Sequence, residues 1–176
     1  MKKLEMGKGK LIASFQVDHT RIVPGIFVSR RDRVGGAWVT TFDIRMKRPN
    51  AEPAIHPNAM HTIEHVVATY LRNSEFADHV VYWGPMGCLT GFYFIAATEE
   101  KIEPRDIEPL ICRAFRHQAN YSGDVPGATP VNCGNWQLHD LNMAKWEAKE
   151  FLSRKWKFDY PTARRVKSGG MVFFDA

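Results

Sequence analysis

Two histidines and a glutamate lie close together in the segment His61-Thr62-Ile63-Glu64-His65. Asn58 is a suitable N-cap and no Gly or Pro occurs between it and Arg72, so the segment is predicted to be a helix. On a helix, His61 and His65 lie one turn apart on the same face, where two imidazoles can chelate one divalent metal ion. Glu64 projects toward that face and is available for proton transfer without being a ligand.

Two cysteines lie in loops that are rich in turn-forming residues. Cys88 belongs to Gly84-Pro85-Met86-Gly87-Cys88-Leu89-Thr90-Gly91, and Cys133 belongs to Val131-Asn132-Cys133-Gly134-Asn135. Two histidines and the Cys133 thiolate would leave a fourth tetrahedral position open for water or substrate, as in catalytic sites. The Cys88 thiol is either an acid/base or nucleophilic group or a small buried residue. Cys112, in the middle of a predicted helix, is interpreted as structural.

The elements that position these residues are predicted from hydrophobic periodicity. Alternating residues over 38–46 predict a strand, and residues 80–83 and 91–97 predict two more. Helical spacing predicts a helix over 106–118 with Asp106 as its N-cap, and a last helix that begins near Leu141. Because strands and helices are grouped rather than strictly alternating, we expect an α+β fold: one two-layer domain, an antiparallel sheet with helices packed on one face.

Composition excludes several classes of protein. With 44% hydrophobic residues and no apolar run near the ~18 residues of a membrane span, we expect a folded domain without a membrane partner. The net charge of +5 is carried by residues 149–167, so the rest of the chain is balanced and no nucleic-acid partner is expected. An odd number of cysteines, 3, and the lack of a signal-peptide pattern predict a cytoplasmic location.

Five motifs in this order and spacing resemble one family. They are Ser14-Phe15-x-Val17-Asp18-His19, Phe42-Asp43-Ile44-Arg45, the His61–His65 helix, the Gly84–Gly91 loop and Cys133-Gly134-Asn135. Together they resemble the S-ribosylhomocysteine lyases, the LuxS family. The likeness covers a core of about residues 14–157, and the tail over 158–176 has no counterpart that the resemblance places. Leu89 departs from the family, in which many members carry a polar or basic residue after the cysteine.

The resemblance implies a homodimer with two active sites at the subunit interface. It implies one divalent metal per subunit, natively Fe²⁺ and replaceable by Zn²⁺ or Co²⁺, bound by His61, His65 and Cys133. Cys88 and Glu64 match the acid/base residues. The substrate pocket would be lined by Ser14, His19 and Arg45, the first two from the neighbouring subunit.

The implied reaction converts S-ribosylhomocysteine to homocysteine and 4,5-dihydroxy-2,3-pentanedione, the precursor of the quorum-sensing signal autoinducer-2. Two carbonyl migrations would precede a β-elimination. Two alternatives remain open at this point. His-x-x-Glu-His is also a zinc-peptidase motif, with Glu147 as a candidate acidic ligand. A non-catalytic module that binds a metal or a ribose is the other alternative, although it would not require Cys88 or Glu64.

Overall fold

Two glycines join the first two strands, β1 (Gly25–Val34) and β2 (Ala37–Arg45). Gly35 and Gly36 both have positive φ, 56° and 91°, as a two-residue type I′ hairpin turn requires. The computed structural model describes residues 17–160. The remaining elements are α1 (Pro57–Arg72), a short 3-10 helix (Ala77–His79), β3 (Val80–Pro85), β4 (Gly91–Thr98), α2 (Pro104–Asn120) and α3 (Leu141–Ser153).

The four strands form one antiparallel sheet in the order β1-β2-β4-β3. Together with the three helices, this sheet confirms the α+β fold expected from the sequence. In the centre of the sheet, Asp43 of β2 pairs with Phe27 on one side and with Tyr93 on the other. Residues that are paired in this way point to the same face, so the sheet has two chemically different faces.

One face of the sheet and the helices share a single hydrophobic core. On β2 and β4 the core-facing residues alternate with those that point away, as period-2 patterning requires. The shared core contains, among others, Phe42, Ile44, Phe92, Phe94, Ile63, Val67, Ile111, Phe115, Ala148 and Phe151, all at most 1% exposed. The opposite face carries the charged and half-buried side chains at the intervening positions, including Asp43, Arg45, Tyr93 and Ile95.

The structure extends and corrects the sequence-based elements. β1 was not predicted, because a bulge between Val28 and Arg30 breaks its alternation and its second half is charged. Asn58 is not the N-cap of α1. The helix begins at Pro57, and its N-cap is His56, whose side chain accepts from the Asn58 N–H. Asp106 is likewise inside α2, where its carboxylate accepts from the N–H of Glu103, the true N-cap.

Backbone hydrogen bonds hold the Cys88 loop against the segment that precedes α1. The Leu89 carbonyl accepts from the Ile55 N–H at 2.9 Å, and the Thr90 carbonyl accepts from the N–H groups of Met46 and Lys47. Leu89 has φ of 58°, in the left-handed region that is unfavourable for a leucine, so these bonds hold a strained turn. The loop is therefore attached both to the end of β2 and to the segment that precedes the histidine helix.

Candidate active site

Four half-buried side chains converge beside the first half of α1. The ligand atoms of His61, His65, Cys133 and His139 all lie within 4.8 Å of one another. The Cys133 Sγ is 3.4 Å from the His61 Nε2, and the rings of His61 and His65 meet edge to face with centroids 4.6 Å apart. The structure thus brings together the three residues proposed as metal ligands from the sequence and adds a fourth, His139.

Backbone carbonyls fix the orientation of the two helix histidines. The Nδ1 of His61 lies 2.8 Å from the Leu138 carbonyl, and the Nδ1 of His65 lies 2.6 Å from the Pro126 carbonyl. Because a carbonyl oxygen only accepts, each Nδ1 must carry a proton, and in the neutral ring the lone pair is then on Nε2. Metal-binding histidines are commonly oriented in this way.

The turn after Pro126 depends on a glycine. Gly127 has a φ of 68°, a backbone conformation that residues other than glycine rarely adopt. The backbone turns there within a short stretch that is held by hydrogen bonds from Ala128 to Val125 and from Thr129 to Gly127. This turn presents the Pro126 carbonyl to His65.

His139 was not proposed from the sequence. The Thr62 hydroxyl donates to the Asn58 carbonyl and accepts from the Asp140 N–H, so toward the His139 Nδ1, 3.2 Å away, it can only accept again. The His139 Nε2 is buried and has no hydrogen-bond partner among the described residues. Burial, together with the positive charges that His61 and His65 can carry, lowers the pKa of His139 to about 4, so its ring is neutral at pH 7 and keeps a lone pair.

The donor set fits a divalent metal ion. Three imidazole lone pairs and one thiol are ligands of the kind that Zn²⁺ and Fe²⁺ accept. A tetrahedral ion with bonds of about 2.0–2.3 Å holds its ligands about 3.3–3.6 Å apart, and the separation of 3.4 Å between Cys133 and His61 already matches this. The other ligand atoms lie at most 4.8 Å from one another.

Glu64 lies beside this cluster, as its position in the motif predicts. Its side chain is half-buried and lines a cavity of about 340 Å³ together with His65, Trp83 and the Pro126–Gly127 turn. Among the described residues it has no hydrogen bond or ion pair, so both carboxylate oxygens are available to a ligand in the cavity. Trp83, which lines the same cavity, was not identified from the sequence.

Arg45 and Cys88 form a second group. Arg45 is 3% exposed, and its guanidinium pairs with the Asp43 carboxylate through two nitrogens. Its Nη1 donates to the Thr90 Oγ1 at 2.6 Å and lies 3.8 Å from the Cys88 Sγ. Burial alone would lower the pKa of Arg45, but the charge and hydrogen bonds of Asp43 outweigh it and raise the pKa.

Thr90 connects this charge to the sulfur. Its Oγ1 accepts from Arg45 and lies 3.1 Å from the Cys88 Sγ, a contact in which either the hydroxyl or the thiol can be the donor. Cys88 is exposed and therefore accessible to a substrate. The Arg45 guanidinium and the Thr90 hydroxyl therefore both contact one exposed sulfur.

The other residues considered from the sequence lie elsewhere. Ser14 is outside the described residues. The hydrogen bond of the His19 ring within the described chain is local, from Nδ1 to the Val17 carbonyl. Cys112 is half-buried on α2, and burial raises the pKa of its thiol. Glu147, the acidic ligand of the peptidase alternative, is buried against Lys47 at 2.6 Å and is not part of the four-residue cluster.

Comparison with known proteins places this chain in a family. The family model described as S-ribosylhomocysteinase (LuxS) matches residues 12–160. The chain belongs to the LuxS family. This confirms the resemblance derived from the five motifs, and the match extends to Tyr160, beyond the core expected from the sequence.

Three bacterial relatives match most of the LuxS chain. A protein named S-ribosylhomocysteine lyase from Phocaeicola vulgatus is 57% identical over 144 residues, 81% of this chain and 88% of its own. A protein of the same name from Porphyromonas gingivalis is 53% identical over 142 residues, 80% and 88% of the two chains. One from Clostridium beijerinckii is 48% identical over 143 residues, 81% and 89%. Within residues 17–160, no helix combines the length and apolar character needed to cross a membrane.

The cluster predicts how metal content depends on each ligand. We expect His61→Ala, His65→Ala and Cys133→Ala each to lower the metal content of the purified protein sharply, because each removes one of the donors. His139→Asn should retain one ion per chain, because the other three donors form a complete catalytic ligand set. Elemental analysis and the thiolate charge-transfer absorption of Co²⁺-substituted protein measure both effects.

His79→Ala is the matched control, because His79 is an exposed histidine whose ring contacts the Ala97 carbonyl. It should leave metal content unchanged. Full metal content in both His61→Ala and Cys133→Ala would contradict the assignment, and loss of metal in His139→Asn would show a closed site with four protein ligands.

Proposed function

We propose that this protein cleaves S-ribosylhomocysteine to homocysteine and 4,5-dihydroxy-2,3-pentanedione. The observation that carries the proposal is the cluster of His61, His65 and Cys133 on and beside α1, with the unpaired Glu64 carboxylate next to it. Membership of the LuxS family and the names of the relatives support this substrate. Cys88, in the loop bonded to the segment before α1, has the exposure and the polar contacts that an acid/base thiol needs.

We propose that His61, His65 and Cys133 hold one divalent ion and leave its fourth position to the substrate. Fe²⁺ is the proposed native ion, as the resemblance implies, with Zn²⁺ or Co²⁺ as substitutes. When bound, the ion supplies Lewis-acid polarisation of a carbonyl or enediolate oxygen. The protein's part is to orient each imidazole and set its tautomer, which the carbonyls of Leu138 and Pro126 support.

Cys88 and Glu64 are the proposed proton carriers. Moving the sugar carbonyl from C1 to C2 and then to C3 requires a proton to leave the carbon beside the carbonyl in each shift. A Cys88 thiolate, facing Thr90 and Arg45, can remove such a proton and return it to the neighbouring carbon. Glu64, on α1, lines the cavity and can transfer protons to and from the oxygen atoms of the substrate.

The last step breaks the carbon–sulfur bond. With the carbonyl at C3, a base removes the proton from C4, and the electron pair forms the C4–C5 double bond. The C5–S bond breaks, and sulfur leaves with its electron pair and takes up a proton as homocysteine. The enol product rearranges to the dione, so the sequence of steps is neutral in redox terms. On this basis we propose a role in methyl-cycle recycling and in making the autoinducer-2 precursor.

The substrate contacts and the oligomer rest on the resemblance. We propose that Arg45 lines the pocket through its contact with Cys88, and that Ser14 and His19 reach the site from the partner of a homodimer. The sheet face opposite the helices supports an interface, because it presents half-buried side chains, namely those of Val39, Thr41, Tyr93, Ile95 and Ala97. The three free cysteines support the proposed cytoplasmic location.

Replacing Cys88 tests the proposed base. Cys88→Ala should keep its metal content, because Cys88 is not in the ligand cluster, yet release homocysteine about 10²–10⁴-fold more slowly, the usual contribution of a positioned acid/base group. Free thiol release from S-ribosylhomocysteine, followed under anaerobic conditions with a chromogenic disulfide, measures this. Cys112→Ala should be as active as the unmodified protein. A Cys88→Ala variant with full activity would rule out the role.

Replacing Glu64 tests the second carrier. Glu64→Gln keeps the shape of the side chain but removes its titrating group, so we expect folding and metal to persist while ketose intermediates accumulate. Chromatography of the reaction mixture detects them. Glu108→Gln, on the surface of α2, is the control. Homocysteine release at the unmodified rate would instead show that Glu64 only orients the histidines.

The proposed dimer is tested on the sheet face without helices. Ile95→Glu should shift the protein toward monomers in light scattering and lower its activity, because a charge would be buried in the interface. Val34→Glu, at an exposed hairpin end, is the matched control and should remain dimeric. An unmodified protein that is monomeric and fully active at nanomolar concentration would contradict the proposal.

A further inference from the structure

Tyr160, in the segment that follows α3, contacts the buried carboxylate of Asp43. We propose that Tyr160 is a positioning residue for Cys88, acting through Asp43, Arg45 and Thr90. This inference rests on the proposed function, in which Cys88 is the base. It concerns a part of the chain to which the sequence motifs assigned no structure or role.

The first step is how this segment reaches the sheet. The Ile26 N–H donates to the Lys157 carbonyl at 2.8 Å, and the Lys157 N–H donates to the Pro24 carbonyl at 3.1 Å. A side chain at Gly25 would collide with the Lys157 backbone, so this close approach requires glycine. Three residues later, the Tyr160 ring stacks on Phe27 of β1 with centroids 4.6 Å apart.

The second step is the contact with Asp43. The Tyr160 hydroxyl donates to the Asp43 Oδ2 at 2.9 Å, and the same carboxylate accepts from the Nε and Nη2 of Arg45. Asp43 is only 2% exposed, so water does not complete its hydrogen bonds. Burial, with the negative charge of Asp43, raises the pKa of Tyr160, which therefore remains protonated and a donor.

The third step leads from the ion pair to the sulfur. Asp43 holds two nitrogens of the Arg45 guanidinium and leaves Nη1 to face Thr90 at 2.6 Å and Cys88 at 3.8 Å. The position and the net positive field of Arg45 at the sulfur therefore depend on how fully the Asp43 charge is compensated. The Tyr160 hydroxyl compensates part of that charge.

Removing this hydroxyl should reduce the thiolate character of Cys88. Without the Tyr160 donor, the Asp43 charge would act more strongly on Arg45 and on the space beside it. The positive field at the Cys88 Sγ would then be weaker, and a thiolate less favoured. The Tyr160 ring could still stack on Phe27, because stacking does not involve the hydroxyl.

The experiment uses Tyr160→Phe in the full-length metal-loaded protein. The probe is iodoacetamide at neutral pH, with alkylation at each cysteine followed by peptide mass spectrometry. We expect alkylation of Cys88 to slow about 3- to 10-fold, a part of the effect of leaving a buried charged acceptor short of one donor. Cys112 provides an internal reference, and its alkylation rate should not change.

Tyr121→Phe is the matched control. It removes a tyrosine hydroxyl that donates to the Asp124 carbonyl at an exposed turn, and Cys88 should react in it as in the unmodified protein. With S-ribosylhomocysteine, Tyr160→Phe should lower kcat by a similar factor and leave KM nearly unchanged, because Tyr160 acts on the base rather than on binding.

The outcomes separate this inference from the proposed function. Slower alkylation of Cys88 alone in Tyr160→Phe supports the positioning role, even if the protein fails to cleave S-ribosylhomocysteine. Unchanged alkylation of Cys88 overturns it, even if the lyase activity is present. Faster alkylation of both Cys88 and Cys112, with a lower melting temperature, would also overturn it by showing that Tyr160 only stabilises the fold.

Discussion

The site depends on the docking of an irregular segment, residues 122–140, against the first half of α1. Carbonyls of this segment, from Pro126 and Leu138, fix the two helix histidines, and the Asp140 N–H bonds to the Asn58 carbonyl at 3.2 Å. The segment has no helix or strand of its own, so its conformation is set by these contacts and by tight turns. A helix with two histidines becomes a candidate metal centre only when this segment delivers the cysteine and sets the tautomers.

The two faces of the sheet differ in composition: one packs in the hydrophobic core, and the other contains the polar contacts of Cys88. The face toward the helices is apolar and closely packed, which provides most of the stabilising burial. The other face contains a buried ion pair between Asp43 and Arg45, an arrangement that is often no more stable than an apolar one. Here Tyr160 bonds to Asp43, and Arg45 contacts Thr90 and Cys88, the proposed base.

A second buried ion pair has a different role. Lys47 and Glu147 are both 6% exposed and join the chain after β2 to α3. Burial raises the pKa of the Glu147 carboxyl, although the hydrogen bond and charge of Lys47 oppose that rise. This pair lies outside the metal cluster, so a carboxylate that the sequence offered as a ligand belongs to the packing of α3 instead. Its burial and its pairing with Lys47, rather than its residue type, show that Glu147 has a packing role and is not a metal ligand.

Local patterns determined much of this protein, because they depend on residues that are near one another in the chain. The pairing of His61 with His65, the side on which Glu64 lies, the three helices and the α+β class all follow from local patterns within a few turns. Tertiary structure decided the rest. The bonds from His61 to Leu138 and from Tyr160 to Asp43 join residues 77 and 117 positions apart, and no local pattern encodes such distances. Folding brings distant residues into contact in three places that no local pattern shows. It adds His139 to the ligand cluster, pairs the bulged strand β1 with β2, and connects Tyr160 to Cys88 through Asp43 and Arg45.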